Sequence, residues 1–189
     1  MPEMKKLTMD EYCKLFQNVT LAEYDNLFLN SDLRNDLGLD HEQTRRFAVE
    51  YLCAALYLLD DLVPDSGLPE ETAHMLTAQV RTNIFRGILP EQVPEGAEAA
   101  YLMYSLRRSA AFAACYVRGD EGMRAIIENC LDQAGIDDAS ARMTQSLYLM
   151  QLLPGVLQLY CDLLRGVHTE QGESLRFCID WPDKESNTD

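Results

Sequence analysis

FAVEYLCAALYLLDDLV, Phe47 to Val63, decides how this chain folds. Between Phe47 and Leu59 the only formally charged residue is Glu50. Apolar residues occupy every side of the helical wheel rather than one stripe, and a helix that is apolar all round must be buried on most sides. The stretch therefore reads as a central helix with the other helices packed around it. Asp40-His41-Glu42-Gln43 is a capping box at its mouth, and its acids sit at the positive end of the helix dipole. The helix is expected from His41 to Leu62, with Pro64 and Gly67 ending it. Arg46, Glu50, Tyr57 and Asp61 fall near one line along it, expected to be a thin solvated edge with Arg46 and Glu50 paired one turn apart.

On the N-terminal side, Thr8-Met9-Asp10-Glu11 is a capping box that opens a helix to about Val19. Thr20-Leu21-Ala22-Glu23 repeats the signature and is expected to start a second helix. On the C-terminal side, Pro69-Glu70-Glu71 opens a helix to about Arg86, stopped by Gly87 and Pro90. The next helix, about Glu95 to Arg118, is rich in alanine and serine, which admit a neighbouring helix at close range. Glu121 to Ala134 is amphipathic and ends on Gly135. Asp137 or Asp138 caps a last helix to Arg165, expected to kink at Pro154. Beyond it Leu175, Phe177, Ile179 and Trp181 alternate with Arg176, Cys178 and Asp180, and a period of two marks an extended strand. Pro182 to Asp189 is polar and expected to be disordered. The expected fold is all-α: one bundle domain of about seven helices over residues 1–173, with an extended arm and tail over 174–189.

The 189 residues suit one domain with a core large enough to need no disulfide or metal. Thirty-one acids against sixteen bases leave a net charge of −15, which argues against binding nucleic acid or anionic membrane; its ordinary reading is solubility, and its functional alternative is a basic protein partner. The opening MPEMKKLTMDEY has no apolar run behind its lysines, so no signal peptide is expected. No segment reads as a membrane span; residues 99–117 come nearest, interrupted by Arg107 and Arg108. The six cysteines are scattered and form no CxxC, so they read as reduced thiols of a cytoplasmic protein.

Three groups of residues are candidates for function. Asp60, Asp61 and Asp65 in LLDDLVPDSGL, with Asp162 in GVLQLYCDLLR, resemble the two aspartate-rich motifs of the trans-isoprenyl diphosphate synthases. That resemblance implies an all-α, Mg²⁺-dependent enzyme using diphosphate, with Asp60, Asp61 and Asp162 as metal ligands. The sequence departs from the pattern. Asp65 stands one place too far, Cys161 and Arg165 replace aspartates, and Gly67-Leu68-Pro69-Glu70 replaces basic residues. The ordinary reading is a solvated exit from the helix, and no cofactor or metal is expected.

The second group is a nearly uncharged stripe on the last helix: Thr144, Tyr148, Gln151, Gly155, Gln158, Asp162 and Arg165. Tyr148, Gln151 and Gln158, with Arg107 or Arg108 from the fifth helix, are candidates to line a small-molecule pocket. One of those arginines must enter the bundle's side, where it pairs with an acid such as Glu50, snorkels to water or meets an anionic ligand. The third group is the arm. It either docks on its own bundle or pairs with the arm of a second copy, and Leu175, Phe177, Ile179 and Trp181 are the expected interface. The expected function is that of a non-enzymatic interaction or adaptor protein, a homodimer that also meets a protein partner.

Overall fold

The computed structural model describes residues 5–89, 96–165, 167–168, 174–175 and 177–179. It is an all-α bundle of seven helices among those residues. They are α1 (Met9–Leu29), α2 (Ser31–Asp36), α3 (His41–Leu62), α4 (Glu70–Ile88), α5 (Ala97–Cys115), α6 (Asp120–Ala134) and α7 (Ala139–Arg165).

Every residue of α3 from Glu50 to Leu59 is buried, as all-round apolarity requires. Around it α1, α4, α5, α6 and α7 form a ring in which each touches the next and α7 closes back onto α1. Asp40 caps α3 through the Gln43 N–H at 2.7 Å, and the Gln43 side chain accepts from the Asp40 N–H at 3.2 Å. Val63 to Ser66 form a 3₁₀ turn after it, and Gly67 at φ +77° takes the left-handed position that closes the exit.

The second capping box does not start a helix: α1 runs unbroken through Thr20. Thr20 is wholly buried. Its hydroxyl donates back to the Phe16 carbonyl at 2.7 Å, and that leaves Tyr160 of α7 to donate to the Thr20 oxygen at 2.5 Å. Tyr51 of α3 donates to the Thr20 carbonyl at 3.0 Å. Thr20 thus joins α1 to α7 through its hydroxyl and to α3 through its carbonyl instead of capping a helix, because packing on α3 and α7 outweighs a local signal.

Two other boundaries differ from expectation. Gly87 does not stop α4, which continues to Ile88. α5 is shorter than expected and ends at Cys115; Tyr116 leaves the helix at φ −84°, ψ 126°. The chain then folds back so closely that a Cβ on Gly122 would lie 1.8 Å from the Val117 carbonyl oxygen. α7 runs through Pro154, whose ring sits on the exposed side. α7, rather than 99–117, is the one helix among the described residues long and apolar enough to span a membrane. It packs in the ring against α1, α3 and α6.

Short strands carry the two ends of the chain. β1 (Lys5–Leu7) pairs in parallel with β4 (Phe177–Ile179), and β2 (Val167–His168) pairs antiparallel with β3 (Ser174–Leu175). The arm's extended backbone therefore finds a ladder partner in its own N-terminal segment. Trp181 and the tail after it lie outside the described residues.

Candidate functional site

α3 carries one acid, Glu50, into the interior and a second, Asp60, half-buried at its C-terminal end, and α5 is turned to meet them. Glu50 is 2% exposed. Arg108 of α5 donates to its carboxylate from Nε at 2.7 Å, and Tyr104 donates to the other oxygen. Arg108 also donates to the Asn129 side chain of α6 at 2.6 Å and lies over the Phe112 ring, 4.6 Å from its centroid. Burial pushes the Glu50 carboxyl above its ordinary value, against the opposing pull of Tyr104 and Arg108. Ten residues on, Asp60 is held by Arg81 of α4, and Ser109 donates to it at 3.3 Å. Arg81 donates to Ser105 as well. Burial raises the Asp60 carboxyl too.

The expected solvated edge of α3 is corrected here. Glu50 faces α5 and pairs with Arg108, while Arg46 donates to Glu42 at 3.1 Å. An acid in a continuous buried run has no solvent to reach, so it takes the nearest interior cation.

The cost of that arrangement appears on the other side of α5. Its buried residues are Ser105, Arg108 and Phe112. Its outward positions are Ala99, Met103, Leu106, Ala110 and Ala113, all exposed, with Met103 at 52% and Leu106 at 51%. Their spacing of four, three, four and three residues runs a straight apolar seam along the helix. Arg107 lies exposed at the edge of this seam and is its only charge. The helix is inverted in part: Ser105 and Arg108 face the bundle beside Phe112, while Met103 and Leu106 face outward. The small residues of α5 are legible in the sequence; this orientation is not. The signal is the apolar seam standing opposite Ser105 and Arg108.

The other candidates are placed as follows. Asp61 accepts from Arg118 at 3.0 Å, and the same arginine holds Asp65. With Asp60 on Arg81, every acid of the first aspartate segment is engaged by an arginine. Asp162 accepts from Gln158 Nε2 at 3.0 Å on the flank of α7. Among the described residues, no three His, Cys, Asp or Glu side chains form a metal-sized group. Tyr148 donates to Glu23 at 3.3 Å, and Gln151 and Gln158 are exposed.

Clefts lie elsewhere. One of about 340 Å³, over Glu50 and Tyr104, has Arg45 and Arg46 at its mouth and Tyr101 and Gln133 in its walls. Another, of about 520 Å³, runs from Asp60 past Pro64 and Leu68 to His74 and Thr77. Neither reaches Tyr148, Gln151 or Gln158. Cys13, Cys53, Cys115, Cys130 and Cys161 are free thiols. Burial pushes Cys53 up to about 12 and Cys130 well above its ordinary value, so neither presents a thiolate near neutral pH. For Leu175, Phe177 and Ile179 the structure places the backbone, in β3 and β4.

No family model, no curated protein and no solved structure matches this chain.

Proposed function

We propose that the chain is a non-enzymatic protein-interaction protein whose docking surface is the outward face of α5. The observation that carries this reading is the inversion of that helix. Ser105 and Arg108 are buried while Met103 and Leu106 stand half exposed. Fully burying each of those two side chains is worth about 1.5–3 kcal/mol. A continuous apolar seam of this kind marks a contact site, and its regular spacing fits a helix laid along it. The free thiols support a reducing compartment, and the cytoplasm is the location that goes with this reading.

The test compares the wild-type chain with the double variant Met103→Lys, Leu106→Lys, each used as affinity bait in extract of the source cell. Proteins held by the wild type and lost by a variant of unchanged helicity support the reading. An identical set on both baits overturns it.

A second reading, small-molecule binding, is favoured by the cleft over Glu50. Its volume of about 340 Å³ is within the range of ligand pockets. Arg45 and Arg46 share Glu42 at 3.9 and 3.1 Å, so the mouth carries one more positive charge than negative. A thermal-shift screen of aromatic carboxylates tests it. A shift abolished by Arg45→Ala favours this reading, and no shift with any of them ends it.

A further inference from the structure

We infer that the helix covering α5 is α5 of a second copy, running antiparallel to it across a two-fold axis. This rests on the reading of α5 as a docking surface and names its occupant.

A two-fold interface presents the same patch on both sides, so the patch must complement itself. The seam has two long side chains, Met103 and Leu106, and three alanines, Ala99, Ala110 and Ala113. In a parallel pair each residue meets its own copy. Met103 would crowd Met103, and Ala110 facing Ala110 would leave a gap. An antiparallel pair with Leu106 opposite Ala110 of the second copy also brings Met103 opposite Ala113. The two-fold axis repeats both layers, so every layer sets one long side chain against one alanine. Shifting the pair to set Met103 against Leu106 puts Ala99 against Ala110 and loses this. Alternating large and small residues fills layers without strain or void, and the alanines allow the axes to approach to the close end of the usual 8–10 Å.

The contact sets one pair of like charges together, Arg107 and its copy beside the axis, at the exposed edge of the seam where water and salt screen them. The exposed positions of α5 carry no acid, and Glu98 near its start is engaged by Arg86 at 2.9 Å. The surplus behind the net −15 therefore lies off the seam. At long range two copies still repel, so salt strengthens this association. A basic partner on the same face would be weakened by salt. α5 has 19 residues and is about 28 Å long. One helix pair of that length falls at or below the roughly 1,200 Å² where stable interfaces begin. The expected dimer is accordingly one whose fraction falls on dilution.

The test uses the purified full chain. Native mass spectrometry and sedimentation over a dilution series are expected to show a monomer–dimer equilibrium that shifts toward dimer with added salt. Leu106→Ala and Ala110→Leu should each lower the dimer fraction. The double variant Leu106→Ala, Ala110→Leu should restore it, because the swap rebuilds the same layer across the axis. Register is read separately, in a background carrying Cys115→Ser, Cys161→Ser and Cys178→Ser. On oxidation, Met103→Cys mixed with Ala113→Cys should cross-link, and Met103→Cys alone should not. A monomer at every concentration overturns self-pairing, and the capture comparison above then decides alone whether α5 docks something else. A dimer with no rescue by the swap, or one that cross-links through Met103→Cys alone, overturns the antiparallel arrangement and leaves the docking reading standing.

Discussion

Arg108 donates to Glu50 at 2.7 Å with both side chains nearly excluded from water. Each gives the other a partner of opposite charge in the interior. Removing one partner of such a pair costs about 3–5 kcal/mol, because the remaining charge is left buried, whereas replacing both with apolar groups costs far less. Arg108→Met is therefore expected to lose that amount in urea unfolding, and Glu50→Leu with Arg108→Met to recover most of it. If Arg108→Met unfolds at the wild-type midpoint, the pair is not as buried as described.

Thr20 separates two pictures of the N-terminal region by a single substitution. At an N-cap, aspartate serves as well as threonine. In the interior of α1, between Tyr51 and Tyr160, a carboxylate has neither room nor a cation. Thr20→Asp is expected to unfold the chain or lower its melting temperature sharply, and Thr20→Val to cost about 1–3 kcal/mol by stranding the Tyr160 hydroxyl. A tolerated aspartate would restore the two-helix reading.

Gly122 is required by closeness rather than by its own backbone angle. A methyl group there would press on the Val117 backbone, which has no rotamer to yield with. Gly122→Ala should cost about 1–3 kcal/mol, the usual range for overpacking, even though alanine is the better helix former. Thermal melting decides it: a rise in melting temperature would mean the turn is open.

The pH dependence has one sign throughout. Burial raises the Glu50 and Asp60 carboxyls in the native state. The native state therefore holds these protons more tightly than the unfolded chain, and the stability they contribute is lost as pH rises through their native values. At the alkaline end burial sets Cys13 at about 11 and Tyr57 and Cys53 at about 12. The same groups in an unfolded chain titrate from about 8.5 to 10. The urea midpoint is expected to fall from mildly acid to neutral pH and to fall again above about pH 9. A midpoint that climbs over either interval contradicts this.

The centre of the fold was legible because its signal is not directional. A helix apolar on all sides has one place to go, and α3 occupies His41–Leu62 as read. Caps held where nothing in the tertiary structure competed, as at Asp40 and Gly135. That Arg107 or Arg108 would enter the bundle's side was legible, with Glu50 named as one acid it could meet; which arginine enters, and that Glu50 leaves Arg46 for it, was not. Nor was the orientation of α5. Its wheel has a polar face and an apolar face, and the usual rule turns the apolar one inward. Acids on another helix, Glu50 and Asp60, draw Ser109, Tyr104 and Arg108 inward instead. That information is spread over two segments far apart in sequence, and no window on α5 contains it. Thr20 misled for the same reason: its hydroxyl partner lies on α7.

The ladder between Lys5–Leu7 and Phe177–Ile179 has a consequence for the order of assembly. β1 has no ladder partner until Phe177–Ile179 have been made. On a ribosome, α1 through α6 can gather around α3 while β1 still waits, and the bundle is sealed only after the C-terminal segment leaves the exit tunnel. Contacts of such long sequence separation form late and slowly. Synthesis halted before Phe177 should therefore release a helical body whose N-terminal edge remains open to other chains.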